Sequence, residues 1–359
     1  MVVYWLVFFL CSYLALVESD LRTRPYLKNS RFDLVLKLNL FILMGIFIGL
    51  REGIGADWGT YLNIYNAQAF SSYSLIDLLS YQDPGYAIIS ELSIFFELGI
   101  YGVNVFSGLI VVLGLCSLVR RRGTIWIAMV VAIPYLITVV AMGYVRQAIA
   151  FGFVCFAVTA LFEKKSILLS MGWVLIAGSF HKTALLFVLI IGFGLPSLSI
   201  GVIITALFLI SALLGITVHE EIERSYRAYF SESFVSSGTL PRLVLNCIPA
   251  VLALFYLKSF NFDQVQKRVV CILSLIVFGL FFAYVYLGPM TLIDRLNIYF
   301  MILQVFIISQ LPEVLDKNFG IESRVSVLAV ILFYSCQYHI WLSHSTHKFA
   351  WVPYKNLLF

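Results

Sequence analysis

Long apolar runs recur along the whole chain, and they restrict its possible folds more than any other feature. Four clear examples cover residues 41–50, 103–119, 200–218 and 271–287. Of the 359 residues, 61% are hydrophobic and 12% are charged, so a water-soluble fold could not bury all of the apolar faces. Helices satisfy their own backbone groups in lipid, and about 20 apolar residues cross the hydrocarbon core. The sequence therefore predicts an all-α, polytopic integral membrane protein.

The basic residues predict the direction in which each span crosses. The first run, 1–17, lacks a basic leading region and a small-residue cleavage site, so we interpret it as a span and not as a signal peptide. Arg22, Arg24, Lys28 and Arg31 follow it, which places that loop in the cytoplasm and the start of the chain outside. Continued alternation predicts about twelve spans, at 1–17, 32–50, 101–119, 124–141, 145–162, 166–180, 183–195, 200–218, 244–257, 269–287, 296–311 and 325–341.

Residues 84–98 interrupt this alternation. The cluster Arg120, Arg121 and Arg122 is typical of a cytoplasmic loop, yet two apolar stretches separate it from the preceding outer loop. The first of these is short and carries Glu91 and Glu97, so we predict a re-entrant or tilted helix that stays at the outer face. The predicted organisation is a single transmembrane domain over 1–359, with outer (periplasmic) loops at about 51–83 and 219–241.

Charge and cysteine patterns exclude other classes of protein. The formal net charge is +5, but the basic residues form short clusters between apolar runs, as in loops that anchor spans, and we predict no nucleic-acid partner. The six cysteines show neither metal-ligand spacing nor a disulfide framework. We therefore expect neither a metal nor a cofactor.

Several basic residues lie at helix ends on the predicted outer side, where no positive anchor is needed. They are Arg51, Arg146, Lys182 and Arg295, and we expect them to line a site. Arg51 precedes a glycine-containing segment that runs through Asp57 to Tyr61 and can approach a ligand closely. The alternative is an ordinary outer loop in which Asp57 caps a short helix.

Arg146 and Gln147 begin an apolar helix at its outer end. An arginine near the positive end of a helix dipole is unfavourable unless an anion is bound there, so this position indicates anion binding. The alternatives are a snorkelling anchor or an ion-pair partner for Asp57 or Asp83. Asp83 itself precedes Pro84, and helix capping alone would explain it.

Two further motifs repeat this pattern at the outer side. His181 and Lys182 join two short spans, as in helices broken around a site, and the adjacent lysine favours a neutral imidazole that could serve as a general base. A structural histidine is the alternative. Asp294 and Arg295 begin another inward helix. The two residues could form a local charge pair, or Arg295 could be a second arginine that meets Arg146 around a diphosphate.

These motifs, in this order, resemble the EpsG family, which groups with Wzy-type bacterial polysaccharide and O-antigen polymerases. The resembling segments are Arg51 with 55–58 and Tyr61, then 83–86, 146–150, 180–184, 294–300 and 353–356. The family often has Glu where this chain has Asp83. The resemblance implies a fold like that of C-type membrane glycosyltransferases, acting at the outer (periplasmic) face of the bacterial cytoplasmic (inner) membrane.

The resemblance also implies substrates and residue roles. The donor would be an oligosaccharide repeat unit on undecaprenyl diphosphate, transferred without a metal to the terminal sugar of another lipid-linked unit. Arg146 and Arg295 would bind the diphosphate, Arg51 would join them or bind the acceptor, and His181 or Asp57 would accept the proton. Substrate contacts are further expected from Gln147, Lys182, Asp83, Tyr61 and Asp294. Membrane lipid is an expected partner, and a chain-length regulator is left open.

Two other functions remain open at this point. A flippase for the same lipid-linked glycan would also have broken helices and intramembrane charges, but its charges should follow a path across both faces. Here the candidates concentrate outside, with Lys37 left within a span. An O-antigen ligase-like transferase would share the donor chemistry. The sequence does not separate lipopolysaccharide from capsule or exopolysaccharide pathways.

Overall fold

The computed structural model describes residues 1–23, 30–71, 74–81, 83–121, 124–164, 166–194 and 238–358. Within these ranges the chain is helical throughout and contains no strand, which confirms the all-α prediction. Some predicted features lie outside the described residues, namely the span 200–218, the outer loop from 219 to 237, and the loop positions Arg24, Lys28 and Arg122.

The described residues of the first half of the chain form nine α-helices. They are α1 (Val2–Thr23), α2 (Ser30–Met44), α3 (Trp58–Ala69), α4 (Leu75–Leu79), α5 (Pro84–Phe95), α6 (Gly99–Val119), α7 (Ile125–Ala132), α8 (Val145–Phe162) and α9 (Ile167–Phe180). Two of them continue as π-helices, α2 through Gly45–Gly49 and α7 through Ile133–Ala141. The second π-helix begins beside Pro134, whose missing N–H prevents a regular α-helical bond there.

The rest of the described chain starts with a 3₁₀ turn, Lys182–Leu186, that leads into α10 (Phe187–Gly194). It continues with α11 (Thr239–Phe255), α12 (Gln264–Leu287), α13 (Thr291–Tyr299), α14 (Met301–Ile308), α15 (Leu311–Phe319) and α16 (Ser323–His344), and a second 3₁₀ turn at Lys348–Ala350.

Six helices of the described chain are long and apolar enough to cross a membrane. They are Val2–Ser19, Gly99–Val119, Val145–Phe162, Gln264–Leu287, Ser323–His344 and Thr291–Phe319, the last of which combines the consecutive helices α13, α14 and α15. Five shorter apolar helices occupy Val35–Gly49, Ile125–Ala141, Ile167–Phe180, Lys182–Gly194 and Thr239–Phe255. Each predicted span within the described residues thus coincides with a helical segment, and the chain is a multi-pass membrane protein. The number of twelve crossings stays a prediction.

The chain divides into two compact units. Unit 1 comprises Met1–Phe156, Ile176–Lys182 and Ile308–Phe359, and unit 2 comprises Ala157–Leu175 and Thr183–Ile307. The centre of unit 1 is α7 with its π-helical continuation, against which α1, α6 and α16 pack. A side chain of α16 bonds to this centre, since the hydroxyls of Tyr338 and Thr138 are hydrogen-bonded at 2.8 Å. The single domain over 1–359 stays a prediction.

Several helix ends of unit 1 meet at one face. Arg51, just past the α2 π-helix, donates to Asn104 near the start of α6 and to the carbonyl of Met142 at the end of the α7 π-helix. Tyr4, at the start of α1, donates to the Trp351 carbonyl at 2.6 Å. The chain between Arg51 and α6 therefore leaves and returns at the same face. With 12 residues, α5 is about 18 Å long, so this agrees with the predicted re-entrant helix.

Candidate active site

Arg146 is a partly exposed cation at the face where these helix ends meet. It lies in the first turn of α8, and its Nη1 contacts the Asp83 carboxylate. Its guanidinium carbon lies 5.7 Å from the centre of the Tyr61 ring. The side chain of Arg146 is 31% exposed, whereas that of Asp83 is 11% exposed. A guanidinium has five N–H donors, so this contact leaves donors that an anionic ligand can use.

Asp83 pairs with Arg146 and does not cap its own helix. It occupies the N-cap position of α5, with Pro84 next, but its side chain makes no capping hydrogen bond. The capping explanation of Asp83 is therefore wrong, and the ion-pair alternative for Arg146 is confirmed. The pair joins the first turn of α8 to the start of α5.

Tyr61 forms the wall on which the arginine rests. It is buried, its ring centre lies 5.5 Å from that of Tyr86, and its hydroxyl oxygen lies 3.5 Å from the backbone nitrogen of Arg146. Burial, opposed by the charge of Arg146, raises the pKa of Tyr61. The phenol therefore stays protonated at neutral pH and keeps a proton that it can donate to an anion.

The structure brings the His181 loop next to the start of α5. Phe180 is buried and stacks on Phe153, with ring centres 5.6 Å apart. Gly85 lies so close to this loop that a Cβ on it would come within 2.9 Å of the Phe180 ring. His181 and Lys182 follow, both partly exposed, so they and Asp83 share one region of unit 1.

Arg51 has a different environment. It is 1% exposed, and it donates to the carbonyls of Ile48 at 2.5 Å, Ile54 at 3.2 Å and Met142 at 3.2 Å, and to Asn104 Oδ1 at 3.1 Å. Burial lowers the pKa of Arg51 to about 10, so the side chain is still charged at neutral pH. These bonds hold helix ends together, and a contact between Arg51 and a diphosphate stays a prediction.

In the glycine-containing segment after Arg51, Gly55 packs closely against the backbone of Met142. Gly55 has φ +109°, and a Cβ there would collide with the Met142 carbonyl oxygen. Only glycine adopts this conformation at such a close approach. Asp57 stands at the N-cap of α3 without a side-chain capping bond and is partly exposed, so the alternative in which Asp57 caps this helix is not observed. Gln147 is buried in α8.

Asp294 and Arg295 belong to unit 2. Asp294 is buried and pairs with Arg242 of α11, with 3.1 Å between Nη1 and Oδ2. One turn further along both helices, Asn246 Nδ2 donates to the Asn297 carbonyl at 3.0 Å and to its Oδ1 at 2.9 Å. Arg295 is partly exposed on the same helix as Asp294. Because Arg146 lies in unit 1, the expected meeting of the two arginines stays a prediction.

Sequence reasoning did not identify this polar connection between α11 and α13. Arg242 and Asn246 are spaced i, i+4 in an otherwise apolar helix, and Asp294 and Asn297 are spaced i, i+3, so each pair shares one helix face. That spacing was the available signal. Without the fold, however, it names no partner.

The described residues include no group of three or more His, Cys, Asp or Glu side chains that could hold a metal ion. All six cysteines are free thiols. The independence of the reaction from metal stays a prediction.

The sequence model of the EpsG family matches residues 34–356, nearly the whole chain. No curated protein matches the chain, and no solved structure does.

Proposed function

The chain belongs to the EpsG family, whose members are Wzy-type polymerases, and from this premise we propose its substrates, site and orientation. It transfers a glycan from undecaprenyl diphosphate to the terminal sugar of another lipid-linked repeat unit, and so elongates a bacterial surface polysaccharide. It acts in the cytoplasmic membrane, with its site at the outer face. Its partners are these lipid-linked oligosaccharides and membrane lipid, and a chain-length regulator is a candidate partner.

The partly exposed Arg146 is the observation that carries this proposal. A diphosphate leaving group develops negative charge as its bond to the anomeric carbon breaks, and a fixed guanidinium stabilises that charge. Arg146 is held in place by Asp83 and the Tyr61 ring, and it lies at a helix N-terminus, where the dipole also favours an anion. The Tyr61 hydroxyl is a further neutral donor at this place.

The proposed reaction is a single displacement. The acceptor hydroxyl oxygen attacks the anomeric carbon, the bond from that carbon to the diphosphate oxygen breaks, and the diphosphate leaves with the electron pair. The hydroxyl proton passes to a base, for which His181 and Asp57 are the candidates. Arg146 and Arg295 together neutralise the leaving group, and Gln147, Lys182 and Asp294 contribute to binding and support. No step uses a metal, so a chelator should leave turnover unchanged.

The surface glycan of a strain that lacks the gene tests the function. A polymerase predicts that the glycan collapses from a ladder to a single repeat unit and that the wild-type gene restores the ladder. Complete loss of surface repeat, with lipid-linked units retained inside the cell, would identify a flippase instead. Long polymer that stays on its lipid carrier would identify a ligase-like transferase.

Orientation is tested by cysteine labelling in a background without native cysteines. Glu52 and Lys355 lie at the face of unit 1 that carries Arg51, and Lys317 lies beyond the other end of the 22-residue helix α16. A membrane-impermeant maleimide should label Glu52→Cys and Lys355→Cys in intact cells and should label Lys317→Cys only after lysis. The opposite pattern would place the site in the cytoplasm.

A further inference from the structure

The π-helix at the end of α2 presents three consecutive carbonyl groups to side chains. Asn356 Nδ2 donates to the Ile46 carbonyl at 3.0 Å, and the Tyr354 hydroxyl donates to the Phe47 carbonyl at 2.8 Å. Arg51 Nη1 donates to the next carbonyl, that of Ile48. Buried carbonyls at the end of a helix must find donors. Two of the three donors come from residues more than 300 positions further along the chain.

Residues 345–358, here called the return segment, also bond to the Arg51 loop through their backbone. The Glu52 N–H donates to the Lys355 carbonyl at 3.1 Å, and the Leu357 N–H donates to the Leu50 carbonyl at 2.8 Å. The Gly55 N–H donates to the Ala350 carbonyl at 2.8 Å. The loop is therefore held along its length by a segment that follows the last helix of the chain.

These contacts connect the return segment to the proposed site in two steps. The segment fixes the π-helix and the loop that carries Arg51, and Arg51 in turn binds the carbonyl of Met142. Met142 lies four residues before Arg146, between the end of the α7 π-helix and the start of α8. A shift of the Arg51 loop would consequently move the start of α8, on which Arg146 stands.

We propose that Tyr354 and Asn356 are positioning residues for Arg146, and that they act through the π-helix carbonyls, Arg51 and Met142. They touch no substrate. Because catalysis depends on geometry at the scale of about 1 Å, a small displacement of Arg146 should reduce turnover even if binding and folding persist. This inference rests on the proposed function for its effect on turnover, but its structural part can be measured without any activity.

The test compares Tyr354→Phe with Asn356→Ala, singly and together, in the purified full chain in lipid nanodiscs. Phenylalanine at 354 keeps the ring that stacks on Phe47 with 5.4 Å between centres and loses only the hydroxyl. Lys355→Ala is the matched control, since Lys355 is exposed and its bond to the loop is made by the backbone carbonyl, which the substitution keeps. Turnover of lipid-linked repeat unit is measured per folded molecule, and amide hydrogen exchange is measured over the whole chain.

The double variant should lower kcat about tenfold, leave the KM for donor little changed, and speed exchange about tenfold in 51–57 and 142–146 only. Lys355→Ala should match wild type. Wild-type turnover and exchange in the double variant would overturn the proposal, and so would faster exchange throughout unit 1, which indicates a purely structural role. If the double variant does not fold, Tyr354→Phe alone decides by the same criteria, with about a threefold effect. If the purified wild-type protein does not turn over lipid-linked repeat unit, the proposed function is contradicted. The pattern of amide exchange in the variants would still decide whether the return segment positions the loop.

Discussion

Arg51 and Arg146 lie at the same face of unit 1, yet their environments differ. They are connected through Met142, whose carbonyl accepts from Arg51 and which lies four residues before Arg146. Arg51 is 1% exposed and its bonds go to three backbone carbonyls and Asn104. Arg146 has 31% of its side chain exposed and contacts one carboxylate and one aromatic ring. One arginine is enclosed by the fold, and the other remains open to a ligand.

The difference assigns separate functions to two arginines that sequence reasoning placed at one site. Carbonyl oxygens are neutral acceptors, so a ring of them fixes a guanidinium and joins the chain segments that supply them. A single carboxylate leaves the guanidinium other donors and can be exchanged for a more highly charged anion such as a diphosphate. We therefore expect Arg51 to control folding and Arg146 to control turnover.

Replacing Arg51 should have the largest effect. Arg51→Ala removes the donor of several carbonyls and opens a cavity, which should reduce the free energy of unfolding by about 3–5 kcal/mol. The amount of folded protein recovered in detergent should fall sharply, as measured by size-exclusion chromatography at matched expression. Normal yield together with lost turnover would instead assign Arg51 to the substrate and remove the distinction between the two arginines.

Arg146→Ala should abolish turnover while the chain still folds. Loss of one fixed donor to a developing negative charge lowers kcat by about 10²-fold to 10³-fold in other enzymes. Arg146→Lys should recover part of this loss, because it keeps the charge but not the planar guanidinium. Turnover per folded molecule is the measurement, and Lys355→Ala supplies the control. Equal turnover in Arg146→Ala and wild type would contradict the role of Arg146.

Asp83→Asn should have an intermediate effect. The amide preserves shape but removes the charge that orients Arg146, so kcat should fall about tenfold while the KM for donor does not rise. Asp77→Asn is the matched control, since Asp77 belongs to a capping box on exposed residues of α4. A raised KM with unchanged kcat would mean that Asp83 binds substrate directly.

Tyr61→Phe should have the smallest effect. The ring that faces Arg146 is kept, and the loss of one hydroxyl should lower kcat about threefold. Burial holds the pKa of Tyr61 above its usual value, so this phenol does not ionise near neutrality and the pH profile of kcat should be the same in both proteins. A pH limb that disappears in Tyr61→Phe would show that Tyr61 titrates during the reaction.

The sequence predicted most of the helices and named the residues of the candidate site. The apolar runs located the spans, and the arginine cluster at 120–122 indicated that 84–98 does not cross, in agreement with the return of the chain from Arg51 to Asn104. The sequence also suggested an ion pair between Arg146 and Asp83 as one alternative, and the structure contains this pair.

The features that sequence did not predict all depend on distant parts of the chain. Hydrophobic periodicity cannot distinguish the π-helix after α2 from an α-helix. Two of the carbonyls of this π-helix accept hydrogen bonds from Tyr354 and Asn356 of the return segment, and no local sequence pattern indicates those contacts. The burial of Arg51 involves Asn104 and Met142, which lie 53 and 91 positions further along the chain. The partner of Asp294 is Arg242, on a different helix.

Binding of undecaprenyl diphosphate to the purified protein is the decisive measurement for the role of Arg146, because it requires no knowledge of the repeat unit. We expect Arg146→Ala to weaken binding at least about tenfold relative to wild type, while Lys355→Ala binds as wild type does. Wild-type affinity in a folded Arg146→Ala variant would contradict the claim that this partly exposed arginine receives the diphosphate.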